Sequence, residues 1–528
     1  MKTINICSIL TNNVCCYPTL VKCIKFYKKC FYKVEYKMLL PFLIAVSFLG
    51  GVVSWISEIF NKKYARLIAL IFNILTLSIL CKIWILFDHT SKMNIPFVAK
   101  KWLMEFDVSW IREFGIDIHL GMDQLSFLLV LLTNVIGILA ILCSWNKIKK
   151  KQGFFYFNFM FLIAATMGIF LSIDLFLFFC FWELVILPIY FIISIWGINL
   201  NNKINSVHIA NSFIIFSQIS SLIMLLVFLG LVINFHNKSY IWSFDYNTLI
   251  HVPLNFNLEY LLMLGLFVAF AIKIPIVPFH TWLINVHAVS PISGFLDLSG
   301  FILKTSIYGL LRFCVPFFPN ASSDFSNIAI FLGLLTMFYP ALIAFSETNI
   351  KRIIAYMVVS HTGIMLIGIY IHNQLSYTGV IFQILSSGLS ISGMFVLSGC
   401  IYKRWHTYDL RKLIGLWNRI KWLSGFLLFF IMVNLGIPGT GNFIGEFLML
   451  LGIFQKSPII VILIGIGLII SSIYSIKVIQ YFNYGLHSKP CTSNVMSIRE
   501  LSIIVFLISS LIYIGIHPAI ILNIINVI

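Results

Sequence analysis

The feature that most restricts the fold is the length of the uncharged runs. No charged side chain interrupts Leu125 to Cys143, and none interrupts Ile459 to Ile476. A helix needs roughly 20 apolar residues to cross a bilayer, and such windows recur along the chain. A membrane barrel would alternate apolar and polar residues over strands of about 10 residues, a pattern these runs lack. Composition completes the exclusion. Hydrophobic residues make up 60% of the 528 residues and charged residues 10%, against about 25% charged in soluble domains. So few charges cannot cover a soluble fold of this size, and a chain this apolar does not stay disordered. The expected class is an all-α polytopic membrane protein.

Fourteen spans are expected from Met38 onward, near 39–57, 64–87, 119–143, 153–172, 174–197, 207–234, 259–284, 294–314, 325–346, 353–371, 375–402, 423–451, 457–482 and 500–524. Residues 1–37 stand apart. They are rich in lysine, hold Cys7, Cys15, Cys16, Cys23 and Cys30, and contain no run of spanning length. They read as a non-native or disordered extension with Met38 as the biological start, which the mass of the intact protein decides. A signal peptide fits poorly, because no apolar core with a small-residue cleavage site follows the charges. The eleven cysteines form no Cys-x-x-Cys pair and no ligand-like spacing with histidine, so no disulfide, zinc or iron–sulfur site is expected.

A net charge of +18 would suggest nucleic acid in a soluble protein. In a membrane protein, cytoplasmic loops collect Lys and Arg, and no nucleic-acid partner is expected. Lys62, Lys63 and Arg66, then Lys147, Lys149, Lys150 and Lys151, then Lys351 and Arg352, then Lys403, Arg404, Arg411, Lys412, Arg419 and Lys421 all fall in alternate loops. The opposite loops are poorer, with Lys92, Lys100, Lys101, Arg112, Lys238, Arg312 and Lys456. The bias places both termini outside.

Four ionisable residues sit where charge is expensive, at about 2.5–3.5 kcal/mol each on insertion scales. Glu183 lies among aromatics in Leu175 to Tyr190; its plainest role is an ion pair between helices, with Lys the natural partner. Lys273 is followed by Pro275 and Pro278, which break the helix, and broken helices at membrane depth lie beside protein or a water-filled cavity. A lysine snorkelling to the interface is the alternative. Lys304 sits inside the next span, with pairing to Asp297 as its structural alternative. Glu446 follows Pro438 and a run of glycines and repeats the logic of Lys273; the alternative is a capping acid near the interface. Two proline-broken helices in matching places suggest an inverted-repeat transporter. His280, His287 and His361 lie in or beside these helices and are candidates for a proton relay, with ordinary packing as the alternative. Ser386, Ser387 and Ser390 could hold water.

Six stretches together carry a resemblance: His119-Leu-Gly-Met-Asp123, Phe181-Trp-Glu183, the segment around Lys273, Asp297 to Lys304, Lys351-Arg-Ile-Ile-Ala-Tyr356 and Gly436 to Glu446. From about Met38 to its end the chain resembles the M-type antiporter-like membrane subunits of NADH–quinone oxidoreductase, respiratory complex I. The resemblance implies fourteen helices with two inverted five-helix repeats. It divides the chain into 38–152 (helices 1–3), 153–314 (helices 4–8, first repeat), 325–482 (helices 9–13, second repeat) and 483–528 (helix 14). It implies one proton channel, with Glu183 and Lys273 as a pair, Lys304 as the central lysine and Glu446 as the exit acid. FMN, iron–sulfur clusters, NADH and quinone are implied on partner subunits, none on this chain. The partners implied are neighbouring antiporter-like subunits, and the location is the bacterial inner membrane. Two departures stand out. The family usually carries a histidine where this chain reads Ser386-Ser387-Gly388, and acidic residues where it reads Lys147-Ile-Lys149. A multi-subunit cation/proton antiporter, a membrane-bound hydrogenase subunit and a scaffold that only seals the membrane arm are the competing readings.

Overall fold

The computed structural model describes residues 38–91, 102–198, 205–291, 300, 302–418, 420–485 and 496–525. The extension 1–37 and Asp297 lie outside them. Five helices and one hairpin come first: α1 (Leu39–Ser57), α2 (Lys62–Ser91), strands β1 (Met104–Ile111) and β2 (Ile116–Met122), α3 (Gln124–Ser144), α4 (Gln152–Leu171) and α5 (Leu175–Trp196). There follow α6 (Ser206–Ser239), α7 (Phe256–Lys273), α8 (Thr281–Val289), α9 (Leu303–Gly309), α10 (Pro319–Ser346), α11 (Ile350–Tyr370) and α12 (Gln374–Trp405). The last are α13 (Lys421–Asn434), α14 (Gly441–Phe454), α15 (Pro458–Asn483), α16 (Ile498–Ile516) and α17 (Pro518–Ile525).

Among the described residues, 12 helices are long and apolar enough to cross a membrane, against fourteen expected. The expected span 423–451 is two shorter helices, α13 and α14, separated at Leu435–Thr440. The expected span 294–314 falls partly outside the described residues. Its described part is α9 followed by a π-helical turn, Leu310–Cys314. The span expected over 259–284 is also broken: α7 ends at Lys273 and α8 begins at Thr281. Both proline-marked breaks are therefore present.

Helix starts follow side-chain capping, in which a short polar side chain takes a free N–H of the first turn. Asp123 accepts from the Ser126 N–H at 2.8 Å, and Asp174 from the Leu177 N–H at 2.9 Å. Asn205, Asn349 and Asn373 cap α6, α11 and α12 in the same way. The Asp123 cap corrects the third span, expected from 119: residues 119–122 belong to β2, which pairs antiparallel with β1. The hairpin was not expected. Its signal is the alternation Glu105-Phe-Asp-Val-Ser-Trp-Ile111, which has the two-residue period of a strand.

The innermost helix is α12, whose whole membrane window is buried. Its sequence explains this. Gly379, Ser386, Ser387, Gly388, Ser390, Ser392 and Gly393 let neighbouring backbones approach closely, as small residues do between membrane helices. A Cβ at Gly379 would lie 2.6 Å from the Met449 backbone nitrogen of α14. At the periphery α1, α2, α15 and α16 turn large apolar side chains outward, among them Phe42, Ile71, Ile462 and Phe506.

Two cations assigned above to cytoplasmic loops are buried instead. Lys351, in the first turn of α11, donates to the Ser290 carbonyl at 3.1 Å, at the C-terminal end of α8. Arg404 is 1% exposed and pairs with Glu500 of α16 at 2.8 Å. The reason is common to both. A helix ending inside the protein leaves carbonyls and partial negative charge that a cation can satisfy, and Arg404 also donates to the Cys400 carbonyl of its own last turn. Arg312, assigned to an outer loop, likewise turns inward. It pairs with Asp123 at 2.8 Å and lies 4.0 Å over the Trp102 ring.

Candidate functional site

The site is built around the two broken helices. Lys273 is the last residue of α7 and is 1% exposed. Ending a helix there frees carbonyls, and these are taken up locally: the Trp282 indole N–H donates to the Ile272 carbonyl at 2.9 Å. The Val277 N–H donates to Thr336 Oγ1 of α10 at 3.2 Å. The break is thus held by protein partners, as irregular backbone at membrane depth requires.

Glu183 is half-buried on α5, at the seam with α6, where the Gln218 side-chain amide donates to its Oε2 at 2.8 Å. The expected direct pair with Lys273 is not formed. Lys273 Nζ lies instead 3.7 Å from the ring centroid of Trp182, the residue next to Glu183, and has no hydrogen-bond partner among the described residues. Consecutive residues of a helix point about 100° apart, so one helix presents an aromatic face inward and the carboxylate toward α6.

Lys304, in the first turn of α9 and 1% exposed, donates to Ser387 Oγ of α12 at 2.9 Å. Four residues earlier on α12, about 6 Å along the axis, the Gln383 amide donates to Glu446 Oε1 of α14 at 3.2 Å. His361 Nδ1 of α11 is 3.7 Å from the same oxygen. Three residues beyond Ser387, Ser390 donates to Asn434 Oδ1 at 2.8 Å and accepts from Asn442 at 3.2 Å, across the gap between α13 and α14. Gln383, Ser387 and Ser390 share one face of α12, and each holds a polar partner from another helix. Gly436, in the gap, has φ +73°, and a Cβ there would lie 2.6 Å from Glu446 Oε2; only glycine lets the turn wrap the carboxylate.

Lys304, Glu446 and His361 are therefore gathered along α12. Glu183 and Lys273 share the α5–α7 region without touching. The remaining histidines make aromatic contacts: His280 lies edge-on to Tyr339 at 5.3 Å, and His287 stacks on Phe395 of α12 at 5.1 Å. Trp182, Gln218, Gln383, Asn434 and Asn442 were not singled out as site residues. The usable signal was an amide side chain inside an otherwise apolar window, as in Val380-Ile-Phe-Gln383-Ile-Leu385. Among the described residues no group of three or more His, Cys, Asp or Glu could hold a metal ion.

A second polar cluster lies outside the spans. His119 Nδ1 is 2.9 Å from Asp245 Oδ1 and joins β2 to the segment before α7. Burial opposes charging the imidazole, but the Asp245 carboxylate outweighs it and holds the His119 pKa above its ordinary value. Asp174, which caps α5 and also accepts from the Asp117 N–H at 3.3 Å, is pushed up to about 6 by burial.

Broken helices facing buried amines and carboxylates define an antiporter-like membrane protein of the class that moves ions through a polar interior. Residues 172–471 match the family described as NADH:quinone oxidoreductase/Mrp antiporter, transmembrane. The chain is 45% identical over 491 residues to NADH-quinone oxidoreductase subunit M of Escherichia coli (strain K12), covering 92% of this chain and 96% of that one. It is 47% identical over 487 residues to the subunit of the same name from Buchnera aphidicola subsp. Schizaphis graminum, covering 92% and 97%. In fold it is similar to a chain of respiratory complex I from Thermus thermophilus, at TM-score 0.80, 21% identity and 92% and 97% coverage. It is also similar to a chain of the Mrp complex from Dietzia, at TM-score 0.78 and 16% identity, though there it spans 51% of the chain. The chain belongs to the NADH-quinone oxidoreductase subunit M family.

Proposed function

We propose that this chain is a proton-translocating membrane-arm subunit of a bacterial NADH–quinone oxidoreductase, and that protons cross it along α12. The observation that carries the reading is the buried series Lys304–Ser387 and Gln383–Glu446–His361 on successive turns of one fully enclosed helix. Neutral packing would fill such a helix with apolar side chains. Ionisable groups at this depth mark ion pathways.

In this scheme Glu183 and Lys273 form a pair that opens and closes. A buried ammonium without a counter-charge is costly, so opening the pair drives the Lys273 proton toward Lys304. From Lys304 the proton passes by Ser387 and bound water to His361 and Glu446, which releases it. His280 and His287 flank the broken α7–α8 segment on the entry side. The drive comes from redox subunits that hold FMN, iron–sulfur clusters and quinone. The two breaks support a reading of 153–314 and 325–482 as inverted repeats, preceded by the three helices of 38–152 and followed by 483–528. The excess of Lys and Arg in alternate loops supports both termini facing the periplasm.

The test is NADH-driven acidification of inverted membrane vesicles, wild type against Glu183→Ala, with NADH–ferricyanide activity reporting assembly. The reading expects acidification to be lost while ferricyanide activity holds. Acidification at the wild-type rate in the assembled variant contradicts it. Proton flux that follows sodium or potassium independently of NADH would instead favour a cation/proton antiporter.

A further inference from the structure

The proposed pair is open in this structure, and each member has found another partner. Lys273 is a buried amine whose nearest favourable contact is the Trp182 ring, 3.7 Å from Nζ to the centroid, with no hydrogen-bond acceptor among the described residues. Trp182 is itself 0% exposed and held by Phe178 and Phe270, each at 5.6 Å between ring centroids. Phe270 belongs to α7, three residues before Lys273, so the aromatic stack fixes the indole against the helix that carries the amine. The indole N–H of Trp182 has no partner among the described residues, which leaves the π face as the feature that position uses. Glu183 meanwhile is held by Gln218 of α6.

We propose that Trp182 is a positioning residue: its ring is the seat that holds the Lys273 ammonium while the Glu183–Lys273 pair is open, with Gln218 holding the carboxylate. The proposal rests on the reading of Glu183 and Lys273 as a working pair. The chemistry suits the task. A cation over an indole face is attracted by the ring quadrupole, more strongly when desolvated, and Trp is the best of the aromatic residues for it. The attraction is also weaker than a buried ion pair, so the seat holds the ammonium in place without trapping its proton, which can leave toward Lys304. An acidic side chain at this place would hold the proton too well. An aliphatic one would leave the amine with no partner and favour permanent closure onto Glu183. Because Trp182 and Glu183 are adjacent on α5, the long Lys273 side chain exchanges one partner for the other by a change of rotamer rather than by a large rotation of α5.

The test uses the assembled complex in inverted vesicles and compares protons pumped per NADH oxidised. Trp182→Phe should retain part of the wild-type ratio, and Trp182→Leu should lose about tenfold in pumping rate. Tryptophans carrying one, two or three ring fluorines, placed only at 182, weaken the π face while keeping its shape. Pumping should fall stepwise with fluorination. A flat response across that series overturns the proposal, and it decides the question even if Trp182→Leu fails to assemble. Glu183→Ala in the same assay separates the two failures. If it abolishes pumping while the fluorinated series is flat, only the seat is wrong; if it pumps normally, the reading of the pair falls as well.

Discussion

At the scale of single residues, the chain puts its costliest groups where neighbours of opposite or complementary character await them. Ser387 is the clearest instance. It stands where the resemblance led to an expected histidine, and its hydroxyl accepts from Lys304 at 2.9 Å. A hydrogen bond to a charged group contributes about 1.5–3 kcal/mol, so Ser387→Ala should slow NADH-driven pumping by about tenfold or more, while Ser387→Thr, which keeps the hydroxyl, should remain near wild type. Proton uptake by vesicles carrying each variant checks this, and equal rates for Ala and Thr would remove the hydroxyl from the path. The ionisable members of the site were legible because charge inside an apolar run is conspicuous. Gln218, Gln383 and Trp182 were not, because an amide or an indole in a membrane helix is common and nothing in a linear sequence says which carboxylate or amine it faces. The same blindness placed Lys351, Arg404 and Arg312 in loops. All three lie in helices or helical turns, and the sequence does not say that the side chain turns inward to a free carbonyl or an acid.

At the scale of elements, the breaks at Lys273 and before Glu446 were visible from Pro275, Pro278 and Pro438, since proline removes a helical N–H and crowds the preceding turn. The expected third span ran over residues 119–122 of β2, and the Asp123 cap marks the boundary between hairpin and helix. That hairpin is tied down by His119 and Asp245, which yields a pH dependence. A histidine held above its ordinary value contributes its stabilisation fully below about 6.5 and loses it as the pH rises through its value in the fold. The His119–Asp245 tie should therefore loosen on going from pH 6 to pH 8. Amide hydrogen exchange over 104–122, corrected for the intrinsic pH effect, should speed up across that range in the wild type. In His119→Gln it should be fast and nearly pH-independent. Protection that does not change with pH in the wild type would remove the imidazolium from the account.

At the scale of the whole molecule, the arrangement is a sleeve of lipid-facing helices around one enclosed polar helix. The outer helices α1, α2, α15 and α16 are mostly exposed apolar surface, suited to a bilayer and to neighbouring membrane subunits. The inner α12 carries the amide and hydroxyls of Gln383, Ser387 and Ser390, and α9, α11 and α14 bring Lys304, His361 and Glu446 to it. The helical class was legible from run length alone, because a bilayer leaves a helix few other ways to satisfy its backbone. The count of spans was less so: a broken helix divides one apolar run into two short ones, as α13 and α14 do. The central claim is that protons cross through the α12 series, and Lys304 is its midpoint. The most direct measurement is the number of protons moved per NADH oxidised by sealed vesicles whose assembled complex carries Lys304→Met, with NADH–ferricyanide activity held equal to wild type. The account predicts that the ratio falls; a ratio equal to wild type would contradict it.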